Sequence, residues 1–194
     1  MTDELRAPAA PVRVAHADLR VETDRLLARL PDAADARDLA TMLSDPAVMR
    51  FVGGAPVPSR DIPAVIEKWL SRWRAFGLGP FVLERRADGR VLGRVGFLVW
   101  DGRTWTHATP ETRDHGIVEL GWAIAHEHWG HGYVTEAARA IRTWGRRERS
   151  VTRLISLIAP ANTRSQRVAE RLGASPAGIA TLPDSGSVVI WEHP

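Results

Sequence analysis

Residues 126–137 read His126-Glu127-His128-Trp129-Gly130-His131-Gly132-Tyr133-Val134-Thr135-Glu136-Ala137. A strand-like run, Ile117 to Ala125, precedes them, and a helix-like run, Val134 to Trp144, follows from within them. A glycine loop that opens a helix suits phosphate. Glycine lets the backbone approach closely, and the N–H groups at a helix start point at an anion. A glycine turn between strand and helix is also often only a turn, so its meaning rests on its company. Glu119 is the candidate general base. Strand alternation places it with Gly121 and Ala123, opposite Val118, Leu120 and Trp122. A carboxylate among small residues predicts a cleft-facing group; the alternative is a solvent-facing glutamate on a half-exposed strand. Ser165 is the candidate proton donor to a leaving group, or else a first-turn residue supporting an Asn162 cap. His126, His128 and His131 raise the question of a metal. They straddle a turn, and no cysteine or carboxylate set completes a geometry, so no metal is predicted.

These groups need elements to hold them. Leu19 to Leu30 contains strand material. Asp32 caps a helix to about Leu43, with Ala36, Leu39, Ala40 and Leu43 on one face, and Asp45-Pro46 stops it. A second helix spans Ile62 to Phe76, with Ile66, Trp69, Leu70 and Trp73 as its apolar stripe. Strands Pro80–Arg85 and Val91–Trp100 form a hairpin through Asp88-Gly89. Asp101 to His115 reads as a surface loop, in which His107 and His115 read as surface histidines, with a place facing an acceptor as the alternative for either. Strand Gly116–Ala125, the glycine loop and a helix of about fifteen residues follow. Arg153–Ile158 is a strand. Asn162 caps a helix that closes at Leu172-Gly173. A last hairpin joins Ala177–Leu182 to Val188–Trp191 through Asp184-Ser185-Gly186.

The chain has 194 residues, 44% of them hydrophobic and 25% charged, enough for one domain with its own core. Residues 1–18 are expected to be a flexible extension and 19–194 the folded domain. No apolar run is long enough to span a bilayer, and residues 1–11 lack the pattern of a secretory leader. There is no cysteine, which excludes disulfides, thiolate metal ligands and an acyl-cysteine intermediate. A cytoplasmic location is the expectation. A net charge of +3 does not make a polyelectrolyte binder. Arg139, Arg142, Arg146, Arg147 and Arg149 read as a solvated helix face rather than a nucleic-acid patch.

The element order and three local sequences resemble the GNAT superfamily of acyl-CoA N-acyltransferases, in its ribosomal-protein-alanine N-acetyltransferase branch. The sequences are Thr23-Asp24-Arg25-Leu26-Leu27-Ala28-Arg29; Glu119 to Ile124 with Trp129 to Ala137; and Asn162 to Ser165 with Arg171-Leu172-Gly173-Ala174. The resemblance covers about Leu19 to Trp191. It implies an α/β (α+β) single domain. A mixed, mostly antiparallel central sheet is flanked by about four helices, and two central parallel strands splay apart. It implies acetyl-CoA as co-substrate, held by Trp129, Gly130, His131, Gly132, Tyr133, Val134 and Thr135 at the pyrophosphate. Trp122, Ala123 and Ile124 would lie along the pantetheine arm, with Asn162 and Ser165 near the arm and sulfur. One free strand amide would polarise the thioester carbonyl, worth ~3 kcal/mol. The chain departs from the superfamily at Trp129, where Gln or Arg is usual, at Val134 and at Ala174. Its single tyrosine, Tyr133, lies in the loop, not where a tyrosine acid commonly stands.

The acceptor must be a neutral amine. At about 1.4 kcal/mol per pKa unit, deprotonation at neutral pH costs roughly 1 kcal/mol for an α-amine and over 4 for a lysine. A protein N-terminus and a small-molecule amine, such as an antibiotic or metabolite, both remain open as acceptors. A non-catalytic acyl-CoA-binding module is the alternative of another class. The chain is expected to be a monomer or homodimer, with neither membrane nor nucleic acid as partner.

Overall fold

In chain order the elements are β1 (Arg20–Glu22), β2 (Leu26–Arg29), α1 (Ala36–Leu43), α2 (Pro46–Met49), α3 (Ile62–Phe76), β3 (Pro80–Arg85), β4 (Val91–Asp101), β5 (Gly116–Ile124), α4 (Tyr133–Arg149), β6 (Ile155–Ile158), α5 (Thr163–Arg171), β7 (Ser175–Leu182) and β8 (Gly186–Glu192). The computed structural model describes residues 19–53, 55–183 and 186–194. The expected extension, residues 1–18, lies outside the described residues, as do Asp184 and Ser185 of the expected last turn.

The eight strands form one sheet in the order β1-β2-β3-β4-β5-β6-β8-β7. Every neighbouring pair is antiparallel except β5 with β6. The long β4 and β5 form its spine, paired from Gly93–Ile124 to Asp101–Gly116. Parity along β5 divides the core. Val118, Leu120 and Ile124 pack with Phe81, Val95, Phe97 and the apolar face of α4. Ala123 packs on the other face with Val82 and with residues of α1 and α3, among them Leu39, Met42, Ile66 and Trp69. α5 packs beside α4 and against β6.

Three local expectations change. The strand material within Leu19–Leu30 forms a hairpin of two strands, because Thr23 folds the chain back: its N–H donates to the Leu26 carbonyl at 2.9 Å, and its hydroxyl accepts from the Leu26 N–H at 3.0 Å. Asp45-Pro46 stops α1 but also starts α2, which raises the α-helices among the described residues to five, against about four expected. The Asp45 carboxylate accepts from the Ala47 N–H at 2.7 Å, and Pro46 stands where its missing N–H costs nothing. The basic face of α4 is not simply solvated. Arg142 donates to the Leu172 carbonyl at 2.7 Å, Arg149 to that of Gly77 at 3.1 Å, and Arg146 to that of Pro194.

α4 can lie close to the sheet because Gly145 has no side chain. A β-carbon there would stand 2.4 Å from the Phe97 ring, itself fully buried. Phe97 stacks on Trp144, whose ring also meets Phe81 edge-on at 5.3 Å. Gly145→Ala therefore overpacks a contact that cannot yield cheaply. Urea denaturation should show a loss of about 1–3 kcal/mol, despite alanine's better helix propensity. Stability unchanged or raised would mean that α4 moves freely over Phe97.

Candidate active site

β5 and β6 share a single register pair, Glu119 with Ile155. Beyond it the two strands part. The gap is bridged first by Ser156, whose hydroxyl donates to the Leu120 carbonyl at 2.7 Å. The Leu120 carbonyl thus faces the gap, and by strand alternation Trp122 and Ile124 present their backbone groups to the same side. The Ile124 carbonyl is taken by the Trp129 indole N–H at 3.0 Å. Among the described residues no strand pairing reaches the Trp122 and Ile124 amides on that edge.

The glycine loop follows directly. Gly130 and Gly132 have φ values of 83° and 78°, in the left-handed region that favours glycine. Gly132 is the N-cap of α4, and the first helical bond runs from the Glu136 N–H to its carbonyl at 3.1 Å. The N–H groups of Tyr133, Val134 and Thr135 therefore have no partner one turn back. They point from the positive end of the helix dipole. Two devices fix the loop. Trp129, besides its bond to Ile124, lies between the His126 ring at 4.3 Å and the Arg164 guanidinium at 4.6 Å. Arg25 donates through Nε to Glu136 at 2.7 Å and through Nη1 to the His131 carbonyl at 3.0 Å, and it covers the Tyr133 ring. Glu136 also accepts from the Thr23 hydroxyl at 2.6 Å, and these donors hold its pKa below the usual carboxylate value despite partial burial.

Gap and loop open into one cleft of about 1250 Å³. Trp122 to Ile124, residues 129 to 135, Asn162 and Ser165 all line it. Asn162 caps α5 by accepting from the Ser165 N–H at 3.2 Å, while the Ser165 hydroxyl accepts from the Trp122 indole at 3.2 Å. Six arginines also line the cleft: Arg25, Arg139, Arg147, Arg164, Arg167 and Arg171. A cradle of helix-start amides ringed by guanidiniums fits a ligand carrying several phosphates. The three loop histidines diverge. His126 goes to Trp129, His128 is buried beside Glu127 at 3.2 Å, and His131 lies against the Trp129 carbonyl at 2.9 Å. Among the described residues no group of three His, Asp or Glu side chains is placed to hold a metal.

Glu119 is not among the residues lining this cleft. It shares a face with Gly121, as alternation requires, and lies on the α3 side of the sheet at 7% exposure. Oε2 accepts from the Trp100 indole at 2.5 Å, and Oε1 lies 3.4 Å from the Leu157 N–H. Burial pushes its pKa above the ordinary carboxylate value, opposed by Trp100, Arg94, the Leu157 amide and Arg72. Its neighbours Arg94, Arg72 and Trp100 escape a motif search. The one signal is Arg94, a charge in the middle of the apolar run Val91 to Trp100.

Comparison with known proteins agrees with this geometry. Residues 25–175 match the family model described as an acetyltransferase (GNAT) domain. The Bacillus subtilis protein YkkB is 30% identical over 160 residues, 81% of this chain and 86% of its own length. An acetyltransferase from Agrobacterium tumefaciens has the same fold with a TM-score of 0.72, 28% identity and coverage of 90% and 94%. The microcin C7 self-immunity acetyltransferase, solved with acetyl-CoA and AMP, shares the fold at a TM-score of 0.68 and 17% identity, with coverage of 88% and 92%. Parted parallel strands, a glycine loop at the head of α4 and the family match over most of the length agree: this chain belongs to the GNAT acetyltransferases.

Proposed function

We propose that the chain transfers the acetyl group of acetyl-CoA to a primary amine by direct attack in a ternary complex. The carrying observation is the single cleft that joins the β5–β6 gap to the glycine loop. The loop amides and arginines suit the phosphates of coenzyme A, and the unpaired edge of β5 suits the amide-bearing pantetheine arm. An unpaired β5 amide stabilises negative charge as it forms on the thioester oxygen. The amine nitrogen bonds to the carbonyl carbon, the carbon–sulfur bond breaks, and the sulfur leaves with the electron pair. Before that attack Glu119 takes a proton from the acceptor ammonium, from the α3 side of β5, directly or through water, which leaves the neutral amine. In this reading Ser165, which lies against Trp122 in the cleft, gives the thiolate a proton and regains one from the nitrogen as the amide forms.

The branch that the sequence resembles favours a protein N-terminal α-amine as acceptor. A small-molecule amine is the second reading, supported by the charges around Glu119. Acetyl-CoA incubated with N-terminal peptides, amino acids, polyamines and aminoglycosides should release free thiol with at least one class. Tight acetyl-CoA binding without thiol release from any amine would instead mark a non-catalytic acyl-CoA-binding module.

A further inference from the structure

Behind β5, on the face away from the glycine loop, charges are gathered without balance. Arg94, in mid-β4, is 9% exposed, and its Nη1 is buried with no hydrogen-bond partner among the described residues. A guanidinium carries five donors and keeps its charge when buried, so an unsatisfied one is costly. Arg94 lies over the Trp69 ring at 5.8 Å, which holds its plane but supplies no acceptor. A β-carbon on Gly121 would stand 3.6 Å from each of Arg94 Nη1, Glu119 Oε1 and Leu98 Cδ1. The base candidate and the buried cation therefore flank one spot where the chain omits a side chain.

More positive charge surrounds them. Arg72, half-buried on α3, feels Arg94 as a repelling neighbour and Glu119 as an attracting one. His107 stacks on Trp100 at 4.4 Å, and Trp100 in turn holds Glu119. The packing around His107 and the cations Arg72, Lys68 and Arg94 push its pKa down to about 3, although the residue keeps contact with solvent. An imidazole, neutral or protonated, offsets none of this positive charge. Among the described residues Glu119 is the one carboxylate acting on both Arg94 and Arg72.

We propose that the acceptor is a small primary amine carrying an anionic oxygen group beside the nitrogen, as in a free α-amino acid. Arg94, with Arg72 at the rim, takes the anion, and Glu119 takes the ammonium. This rests on the acyl-transfer reading above and narrows it. A peptide N-terminus offers a neutral amide where the carboxylate would be. A polyamine or aminoglycoside would bring further positive charge against Arg94, Arg72 and Lys68, at a repulsive cost.

A matched pair provides the test: a free amino acid and its C-terminal amide, such as leucine and leucinamide. The carboxylate makes the amine of the free acid the harder one to deprotonate, so chemistry alone favours the amide. Thiol release should nevertheless give the acid the higher kcat/KM, by about tenfold or more, as for a site built around a polar group that the analogue lacks. Arg94→Met should erase that preference by raising KM for the acid alone, with acetyl-CoA affinity unchanged. Arg72→Met, on the half-buried helix face, should reduce it and serves where Arg94→Met does not fold. Equilibrium titration of both ligands, followed by intrinsic tryptophan fluorescence, to which Trp69 and Trp100 contribute, gives the same comparison without turnover. The acid should bind the wild-type chain more tightly than the amide, and the two alike once Arg94 is replaced. Equal binding of acid and amide, a preference for the amide, or a preference for polyamines or peptides overturns the proposal while leaving acetyl transfer in place. Thiol release from no amine, together with the acid's binding preference, refutes the transfer reading and leaves the anion site standing.

Discussion

Gly132→Glu removes tight acetyl-CoA binding from a chain that still folds. Gly132 caps α4 at a φ of 78°, so any side chain there carries left-handed strain of about 1–2 kcal/mol. That is tolerable at an exposed loop position. The carboxylate also stands in front of the first-turn amides, beside the Arg25 guanidinium whose Nη2 lies 3.6 Å from the new β-carbon. It competes for the groups that would hold the pyrophosphate and repels it. Losing two charge-assisted contacts at about 1.5 kcal/mol each weakens binding on the order of 100-fold. Calorimetry with acetyl-CoA measures this, and circular dichroism verifies the fold. Gly132→Ala shares the strain but not the charge, and should lose far less affinity. Unchanged affinity in the glutamate variant would remove the phosphate cradle from this loop.

Glu119→Gln acts on the other side of the sheet. Glutamine can keep a carbonyl oxygen for the Trp100 indole but cannot take a proton from an ammonium. Turnover should fall by ~10²–10⁴, the usual range for a general base, while acetyl-CoA affinity stays within a factor of about two. The pH dependence makes the test sharper. Because burial raises the pKa of Glu119, the wild-type rate should climb with pH through a range above the ordinary carboxylate value of about 4.3. That limb should vanish in the variant, leaving only the ionisation of the acceptor amine. Stability has the opposite sign. A carboxyl whose folded pKa is raised contributes stability below its unfolded pKa and loses it as pH rises through the folded one. Glu119→Gln should therefore gain stability relative to the wild type across that same interval. A variant with full turnover and an unaltered pH–rate profile removes Glu119 from the chemistry.

Local signals were strong where periodicity and punctuation agree. α3 runs from Ile62 to Phe76, and β3, β5 and α5 lie within a residue of where alternation and caps put them. Residues of the glycine loop, the strand before it and the Asn162 cap were readable because each is a short, contiguous pattern. They meet in one cleft because β5 leads straight into α4. The hairpin at Thr23 and the short α2 were missed, since each depends on one side-chain bond to a nearby N–H rather than on a repeating pattern.

The sequence by itself determined the class of this protein: a mixed α/β domain of the GNAT kind, with a glycine loop at the head of α4 and a carboxylate on the strand before it. Periodicity, glycine and capping residues are local, so they survive in one dimension. Only the tertiary structure decided what surrounds that carboxylate. Arg94 and Glu119 are 25 positions apart, and they converge because β4 and β5 pair in a register that sets Arg94 opposite Ala123 and Leu98 opposite Glu119. Arg72 joins them from a helix, and Trp100 ties the carboxylate from the neighbouring strand. Charge, burial and the missing partner of a guanidinium arise only when distant segments share a low-dielectric space.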